Sequence, residues 1–329
     1  MQKIKLTVVV PVFNEEQVVA HFHARTRAVL DQLADVDGSI MYVVDRCPDN
    51  TLGVLRGVVA HDRNTKVLAM SSRFGHQMSL LAGIEHALDA DAIVMMDGDL
   101  QHPPELIPEL LAKFRAGHDV VYTVRRDTEA INPLRKAAGN AFYRVLGRLS
   151  NVPINANAAD FRLISARVAR TLSTSFQERN MFLRGLFSWM GYRQTHIEYT
   201  AEKRFAGQSK YSLSKMIQLA TAGILSFSTK PLQIGIFVGM GFAAMAFLFM
   251  LIAVANFFIA RELPSGWTTI VSLLLLFNGV LLIVLGVVGV YVGAIYEEVK
   301  ARPRYIIEEI MTHESVAAQE PGRLHSAAV

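Results

Sequence analysis

Residues 95–105 read MMDGDLQHPPE and place two aspartates, Asp97 and Asp99, directly after an apolar run. The run at 92–96 has the length and composition of a buried strand. Residues 103–105, Pro-Pro-Glu, are typical of a helix start because proline is tolerated in the first helical turn. The two aspartates are therefore predicted at the carboxyl end of a strand, the edge at which open α/β sheets bind their ligands.

Short apolar runs alternate with amphipathic ones through the first part of the chain. Strands are predicted at residues 6–12, 40–44, 66–70, 92–96 and 120–124, and helices at 15–33, 52–60, 77–88 and 105–116. This alternation favours an α/β domain with a mostly parallel sheet covered on both faces. The polar tail after about Thr312 is the segment that the sequence predicts to be disordered.

Two long uncharged runs, residues 231–260 and 263–296, follow in a chain that is 51% hydrophobic. Both exceed the roughly 20 apolar residues that a membrane-spanning helix needs. Charged and turn-forming residues separate them, namely Arg261, Glu262, Pro264 and Gly266. A transmembrane hairpin is the prediction. A pair of buried helices is the alternative, although globular helices rarely remain uncharged for so long.

Lysine and arginine are concentrated before the first run and after the second, and only Arg261 lies between them. Because such an excess marks the cytoplasmic side, both ends of the chain are expected in the cytoplasm. The amino terminus has no signal-peptide pattern, and the lone Cys47 fits a reducing compartment. The net charge of +4 lies mostly beside the two runs and gives no case for a nucleic-acid partner.

Polar side chains follow each of the first four predicted strands. The loops that carry them are residues 11–16, 45–50, 71–75 and 97–101. A solvated rim is the alternative for any single loop, but four successive loops at one edge favour a site for a polar ligand. The loop after the fourth strand has neither a G-x-G-x-x-G pattern nor a P-loop lysine, and the chain has no Cys/His cluster of the kind that binds zinc.

Asp97, Asp99 and Gln101 offer two carboxylates and a neutral oxygen. These ligands suit Mg²⁺ or Mn²⁺, with the remaining coordination positions left for phosphate oxygens and water. Neutralising a diphosphate leaving group is the natural role of such an ion. Taken alone, Asp-x-Asp is a weak signal, because helix caps and turns also use aspartate.

Six sequence blocks, in order, resemble the family 2 glycosyltransferases that move a sugar from a nucleotide sugar to a polyprenyl phosphate, such as bactoprenol glucosyltransferases and dolichol-phosphate mannose synthases. The blocks are VVVPVFNEE (8–16), SSRFGHQMSLLAGIEHA (71–87), VMMDGDLQHPPE (94–105), AADFRLIS (158–165), ERNMFLRGLFSWMGYRQ (178–194) and RFAGQSKYSLSKM (204–216). The two apolar runs match the bactoprenol branch. The resemblance implies a glycosyltransferase A-type, Rossmann-like fold, a bacterial inner-membrane location and a homo-oligomer, with a tetramer as the expected form.

The resemblance also implies roles for individual residues. Donor binding is expected from Pro11, Glu15, Asp45, Asp97 and Gln101, and metal binding from Asp97, Asp99 and Gln101. Catalytic roles are expected for Asp99, Arg125 and Asp160, the last as a base or an orienting group. Acceptor-phosphate binding is expected from Arg125, Arg135, Arg204, Ser209 and Lys210.

One loop departs from the family pattern. The family usually carries Asp-Asp-Gly-Ser and then Asp and Thr after the second strand, whereas residues 45–51 read DRCPDNT and are one residue shorter. This leaves Asp45 as the expected nucleoside contact and Asp49 without a clear role. Simpler roles remain open for other residues: Arg125 and Arg135 as solvated charges, Asp160 as a helix cap, and His76, His86 and His102 as helix-start or surface residues.

The expected domain order combines these observations. A cytoplasmic catalytic domain is expected at residues 1–211, with an acceptor loop at about 203–211. The segments expected after it are an interfacial amphipathic helix at 212–230, a transmembrane helix at 231–260, an external loop at 261–267, a second transmembrane helix at 268–296 and a cytoplasmic tail at 297–329. Basic and apolar residues also mix at 134–149 and 213–227. Such stretches suit a membrane interface, with packing against the domain's own core as the alternative.

Three functions are compatible with the sequence. The first is inverting, metal-dependent transfer of a sugar to polyprenyl phosphate for cell-envelope glycans, with glucose from UDP-glucose favoured and mannose from GDP-mannose as the alternative. The second, a processive polysaccharide synthase, normally carries a Gln-x-x-Arg-Trp motif, but neither Trp189 nor Trp267 follows an arginine. The third is a membrane protein that binds nucleotide sugars without catalysis.

Overall fold

The computed structural model describes residues 3–126, 158–179, 181–200, 230–260 and 266–319. The strands in these ranges are β1 (Ile4–Val12), β2 (Val36–Val44), β3 (Thr65–Met70), β4 (Ala92–Met95), β5 (Val120–Arg126), β6 (Ala158–Ser165), β7 (Gln194–Thr200) and β8 (Ile307–Met311). The helices are α1 (Val19–Asp31), α2 (Thr51–His61), α3 (His76–Glu85), α4 (Ile107–Arg115), α5 (Ala166–Ser175), α6 (Leu183–Trp189), α7 (Lys230–Ala260), α8 (Trp267–Val299) and α9 (His313–Gln319). The α/β alternation predicted from the sequence is confirmed.

The strands form one mixed sheet in the order β7-β5-β6-β4-β1-β2-β3-β8. The centre, β3-β2-β1-β4, is parallel as predicted, whereas β6 and β8 pair with their neighbours in antiparallel fashion. Val8, Val9 and Val10 are fully buried, since a parallel strand covered on both faces must be apolar on both. The carboxyl ends of the parallel strands meet at one edge.

Helices cover both faces of the sheet. One apolar core includes residues of α1, α2 and α4, and the other includes residues of α3, α5 and α6. Helix α3 lies very close to the sheet at Gly83, where an added Cβ would come within 2.2 Å of the Val9 side chain. This close packing fixes α3, whose first residue, His76, starts at the carboxyl edge.

The segment after the second apolar helix returns to the sheet. Strand β8 pairs antiparallel with β3, and Val316 of α9 is buried in the core that contains α2. The predicted disorder after about Thr312 is therefore wrong for residues 313–319. A short polar helix of this kind gives little signal in sequence because its stability comes from packing rather than from its own hydrophobic pattern.

Two apolar helices lie where the hairpin is predicted. The segments Leu232–Ile252 of α7 and Leu276–Val299 of α8 are long and apolar enough to cross a membrane. The helices run antiparallel, since Phe242 contacts Phe277 edge-on at 5.6 Å and Gly235 lies beside Val284. The amphipathic stretches at 134–149 and 213–227 lie outside the described residues, and the domain boundaries remain predictions.

The carboxyl end of α8 and the segment that follows it contact the α/β domain through half-buried charged side chains, here called the clamp. The Arg304 guanidinium donates to Glu85 Oε1 at 2.6 Å and to the Phe176 carbonyl at 2.7 Å, and the Tyr305 hydroxyl donates to Glu85 Oε2. The Arg179 amide also donates to Glu298 Oε1 at 2.7 Å. The apolar hairpin is thereby tied to α3 at the end opposite His76.

Replacing Glu85 with Gln is expected to destabilise the protein by about 3 kcal/mol, because the Arg304 charge is left unpaired in a site where both partners are mostly buried. The apparent melting temperature of the full chain in detergent should fall by about 5 °C or more. Glu309→Gln is the matched control, since its pair with Arg56 is more exposed and such pairs contribute about 1 kcal/mol or less. Equal melting temperatures for the two variants would contradict the clamp.

Candidate active site

Three loops at the carboxyl edge of the sheet contain residues in the left-handed backbone region. They are Asn14 after β1 (φ 57°), Gly75 after β3 (φ 89°) and Leu100 after β4 (φ 63°). Leu100 is also buried, at 4% exposure, although a bulky non-glycine residue rarely adopts this conformation. Such strain persists only where surrounding contacts enforce it, and it clusters at functional sites.

The loop after β4 presents Asp97 and Asp99 at this edge. The Asp97 amide donates to His102 Nδ1 at 3.0 Å, and the Gln101 amide donates to Asp99 Oδ1 at 3.1 Å. Gly98 lies between the aspartates, and a Cβ there would come within 3.3 Å of Val10. These contacts set the turn, while the Asp97 side chain keeps 36% of its surface exposed.

The residues present fit a divalent metal ion. Carboxylate and amide oxygens are the ligands that Mg²⁺ and Mn²⁺ prefer. Within the described ranges no group of three His, Cys, Asp or Glu side chains is arranged to hold a metal. An ion bound by Asp97, Asp99 and Gln101 would therefore complete its coordination with oxygens of a bound ligand and water.

Asp160, on β6, is the centre of a buried charge cluster. Arg184 engages both carboxylate oxygens, with Nε at 2.7 Å from Oδ1 and Nη2 at 2.9 Å from Oδ2. Arg162 lies 3.8 Å away from Oδ1. Burial alone would raise the pKa of Asp160, but Arg184 and His76 hold it well below its usual range. Asp160 is thus a poor proton acceptor at neutral pH.

His76 lies between the two halves of the site. Its Nε2 is 3.4 Å from Asp160 Oδ2 and 3.7 Å from Asp97 Oδ1. Burial alone would lower the pKa of His76, but Asp160 and Asp97 outweigh it and raise that pKa to about 9. The imidazole is therefore a cation at neutral pH and joins two aspartates from different strands.

The aspartates that follow β2 organise the neighbouring loops. Asp45 is 3% exposed, and its two oxygens accept the amides of Phe74 and Gly75 at 3.0 and 2.9 Å. Asp49, which had no clear role in the sequence, accepts the Thr51 hydroxyl at 2.7 Å and the Glu16 amide at 3.2 Å. Burial raises the pKa of Asp49, but hydrogen bonds led by that of Thr51 lower it overall.

The remaining predicted donor and acceptor ligands lie partly within and partly outside the described residues. Pro11, near the carboxyl end of β1, and Glu15, in the loop that follows, are half-buried, and the Glu15 amide donates to Thr51 Oγ1 at 3.0 Å. Arg125 is exposed near the end of β5, in register with Tyr199 of β7. Burial raises the pKa of Tyr199 to about 12, and Arg125 opposes that rise. The other predicted acceptor ligands, Arg135, Arg204, Ser209 and Lys210, lie outside the described residues.

The structure adds contacts that the sequence did not predict. His76 begins α3 and is exposed, as predicted for a helix-start or surface residue, but its contacts with Asp97 and Asp160 were not predicted. His102 was predicted as a helix-start or surface residue and is instead buried, and Arg184 was given no role. His102 is 6% exposed and stacks on Phe161 with ring centroids 5.2 Å apart. For His76 a signal did exist, because it directly follows Gly75 in a loop at the ligand-binding edge. Nothing in the sequence pairs Arg184 with Asp160.

Comparison with known proteins identifies the family. The profile of glycosyl transferase family 2 matches residues 7–172. Glycosyltransferase YkcC of Bacillus subtilis is 37% identical over 306 residues, which cover 93% of this chain and 94% of that protein. The prophage bactoprenol glucosyl transferase homolog of Escherichia coli K12 is 34% identical over 307 residues, covering 93% and 99%. The bactoprenol glucosyl transferase of Shigella phage SfII is 35% identical over 306 residues, covering 93% and 98%. The resemblance seen in the sequence is confirmed, and the chain belongs to glycosyl transferase family 2 as a glycosyltransferase.

Proposed function

We propose that this glycosyltransferase moves glucose from UDP-glucose to a polyprenyl phosphate, such as undecaprenyl phosphate, with inversion and with a Mg²⁺ or Mn²⁺ ion. The β-linked product would serve cell-envelope glycans such as lipopolysaccharide. The observation that carries the proposal is that His76 lies between Asp97, on the loop that also holds Asp99, and the Asp160–Arg184 pair. Relatives named as bactoprenol glucosyl transferases, with 34–35% identity, support the acceptor and the sugar.

The donor would occupy the loops that follow β1, β2 and β4. Pro11, Glu15 and Asp45 are proposed to contact the nucleoside, and Asp45 also fixes the loop after β3 through the amides of Phe74 and Gly75. Asp97, Asp99 and Gln101 would hold the metal ion. When bound, that ion neutralises charge on the departing nucleoside diphosphate.

The acceptor would approach from the side of Asp160. A phosphate monoester near neutral pH carries close to two negative charges, because its second pKa is about 6. It therefore needs no base to attack the anomeric carbon. The low pKa of Asp160 fits this chemistry, so we assign Asp160 an orienting role through Arg184 and His76. Arg125, exposed near the end of β5, is proposed to bind the acceptor phosphate.

Inversion follows from a single displacement. The phosphate oxygen forms a bond to the anomeric carbon while the bond to the nucleoside diphosphate breaks, so an α-linked donor gives a β-linked product. The electron pair of the broken bond leaves with the diphosphate. No proton is transferred from the dianionic acceptor, and the low pKa of Asp160 fits a site that needs no base.

The proposed location is the bacterial inner membrane, with α7 and α8 as the spans and with the catalytic domain and both termini in the cytoplasm. The two apolar helices and the positively charged residues that flank them support this topology. Arg135, Arg204, Ser209 and Lys210 are retained as proposed acceptor ligands, and a homo-oligomer, expected as a tetramer, is retained from the family resemblance.

Transfer of radiolabelled sugar from a panel of UDP- and GDP-sugars to undecaprenyl phosphate by the full chain in detergent tests the proposal. Organic-phase label is expected with UDP-glucose. Label with GDP-mannose alone would favour a mannose synthase, which uses the same diphosphate contacts. Absence of lipid-linked label with every donor, while the folded protein binds UDP, would overturn the proposed acceptor.

A further inference from the structure

We infer that His102 is a positioning residue, which closes the loop after β4 and joins that loop to β6 and β7. The loop, residues 97–102, is called the aspartate loop below. The inference rests on the metal-dependent function proposed above, because this loop carries Asp97, Asp99 and Gln101. His102 is 6% exposed. Its Nδ1 accepts the Asp97 amide at 3.0 Å, and its ring packs against two other buried rings.

The hydrogen bond to the Asp97 amide lies where the sheet ladder ends. Strand β4 pairs with β1, and the Met96 amide still donates to the Val9 carbonyl at 3.1 Å. The next amide, that of Asp97, donates to His102 Nδ1 instead. A backbone N–H that is shielded from water needs a partner, since an unpaired one destabilises the fold. His102 therefore supplies the acceptor that a neighbouring strand would otherwise provide.

This hydrogen bond joins the two ends of the aspartate loop. Between them Leu100 is in the left-handed backbone region, with a φ of 63°, and is 4% exposed. The Gln101 amide donates to Asp99 Oδ1 at 3.1 Å. A strained backbone of this kind persists only where surrounding contacts enforce it. Because His102 closes the loop at its base, the positions of Asp97, Asp99 and Gln101 depend on it.

The ring of His102 connects the aspartate loop to two other strands. It stacks on Phe161 of β6 with ring centroids 5.2 Å apart, and it meets Tyr199 of β7 edge-on at 6.0 Å. Phe161 and Tyr199 also contact each other edge-on at 6.3 Å, and both are buried. Such ring pairs add a specific geometry to apolar packing. Since Phe161 directly follows Asp160, His102 links the loop of Asp97 to the strand of Asp160.

Two substitutions separate the hydrogen bond from the packing of the ring. Phenylalanine keeps a ring but has no acceptor, whereas asparagine has no ring but carries an acceptor oxygen as many bonds from the backbone as histidine Nδ1. If the hydrogen bond positions the loop, His102→Asn keeps the properties that His102→Phe loses. A residue that only fills the core predicts the reverse order, because loss of a buried ring leaves a cavity.

Hydrogen exchange of the full chain in detergent, followed by mass spectrometry, tests the hydrogen bond without metal or substrate. Peptides that contain the aspartate loop are expected to exchange about tenfold faster in His102→Phe than in the unchanged protein, and within about threefold in His102→Asn. Peptides from β1 should be unchanged in both variants, which shows that the sheet is intact. His118→Phe is the matched control, because His118 Nδ1 contacts the Lys113 carbonyl near the amino end of β5, away from the loop.

Mn²⁺ binding in the presence of UDP, measured from the electron paramagnetic resonance signal of free Mn²⁺, is the second readout. His102→Phe is expected to bind Mn²⁺ about tenfold more weakly than the unchanged protein, and His102→Asn should stay within about threefold.

Equal exchange in the two variants, or faster exchange in His102→Asn than in His102→Phe, would overturn the inference. Unchanged Mn²⁺ affinity in His102→Phe would overturn it as well. If exchange follows the expected order but the unchanged protein binds no Mn²⁺, the proposed metal dependence fails while the closure of the loop by His102 stands. The two failures are thereby distinguished.

Discussion

Replacing Asp99 with Asn is expected to reduce sugar transfer by about 10³-fold or more, because a metal ion contributes several kcal/mol to stabilising a departing diphosphate. Asp99 keeps its place in the loop after β4 through the Gln101 amide, and an Asn side-chain oxygen can accept the same hydrogen bond. The loss should therefore reflect metal binding rather than loop collapse. Organic-phase counts from labelled UDP-glucose provide the measurement.

Asp37→Asn is the matched control for that substitution. Asp37 is exposed near the amino end of β2, at the sheet edge opposite the site, so its loss should leave transfer within about twofold. EDTA should abolish transfer by the unchanged protein, and Mn²⁺ or Mg²⁺ should restore it. Full transfer by Asp99→Asn, or full transfer in EDTA, would contradict the assignment of Asp97, Asp99 and Gln101 to a metal.

The substitutions Asp160→Asn and Arg184→Gln are each expected to lower kcat by about 10²-fold, and the double variant should be little slower than either single one. Residues that act as a unit show this non-additivity. The pair is bidentate, and each side chain is mostly buried. Removing one partner therefore leaves the other with an uncompensated charge, whereas the double variant removes both charges.

The same set of two single variants and one double variant also shows whether Asp160 acts as a base. Without Arg184 the pKa of Asp160 rises toward its ordinary value, which would make it a better base. Near-normal kcat in Arg184→Gln together with an inactive Asp160→Asn would thus contradict the orienting role. Arg167→Gln serves as the matched control, because Arg167 is paired with Asp119 at 2.6 Å but lies at the start of α5, away from the site. Its kcat should change by less than about twofold.

Local patterns predicted the centre of the fold well. The apolar runs that became β1 to β5, and the helices between them, lie within a few residues of their predicted bounds. The antiparallel strands β6 and β8 were not predicted, because strand pairing joins residues far apart in the chain and leaves no periodic signal of its own. Strand β8 also lies beyond two long apolar helices, where the sequence favoured a tail.

The sequence predicted the position of those candidate site residues that directly follow a strand. Asp97 and Asp99 lie on the expected edge, and Asp160 lies close enough for one histidine to contact both Asp97 and Asp160. The contacts that lower the pKa of Asp160 could not be predicted from residue type at a strand end. Arg184 reaches it from a helix 24 positions further along the chain, and His76 contacts two carboxylates that only the folded chain brings together.

The pairing of β8 with β3 determines when the sheet can be completed during synthesis. A ribosome completes β1 to β7 long before it makes β8, and the residues of α7 and α8 must be translated in between. Until then one edge of β3 has backbone N–H and C=O groups without a partner strand. Such an edge can pair with a strand of another chain. The clamp at Glu85 likewise forms only after Arg304 has emerged. The sheet is therefore completed only after the apolar hairpin has been made, and a chain that ends before the hairpin would lack the edge strand β8.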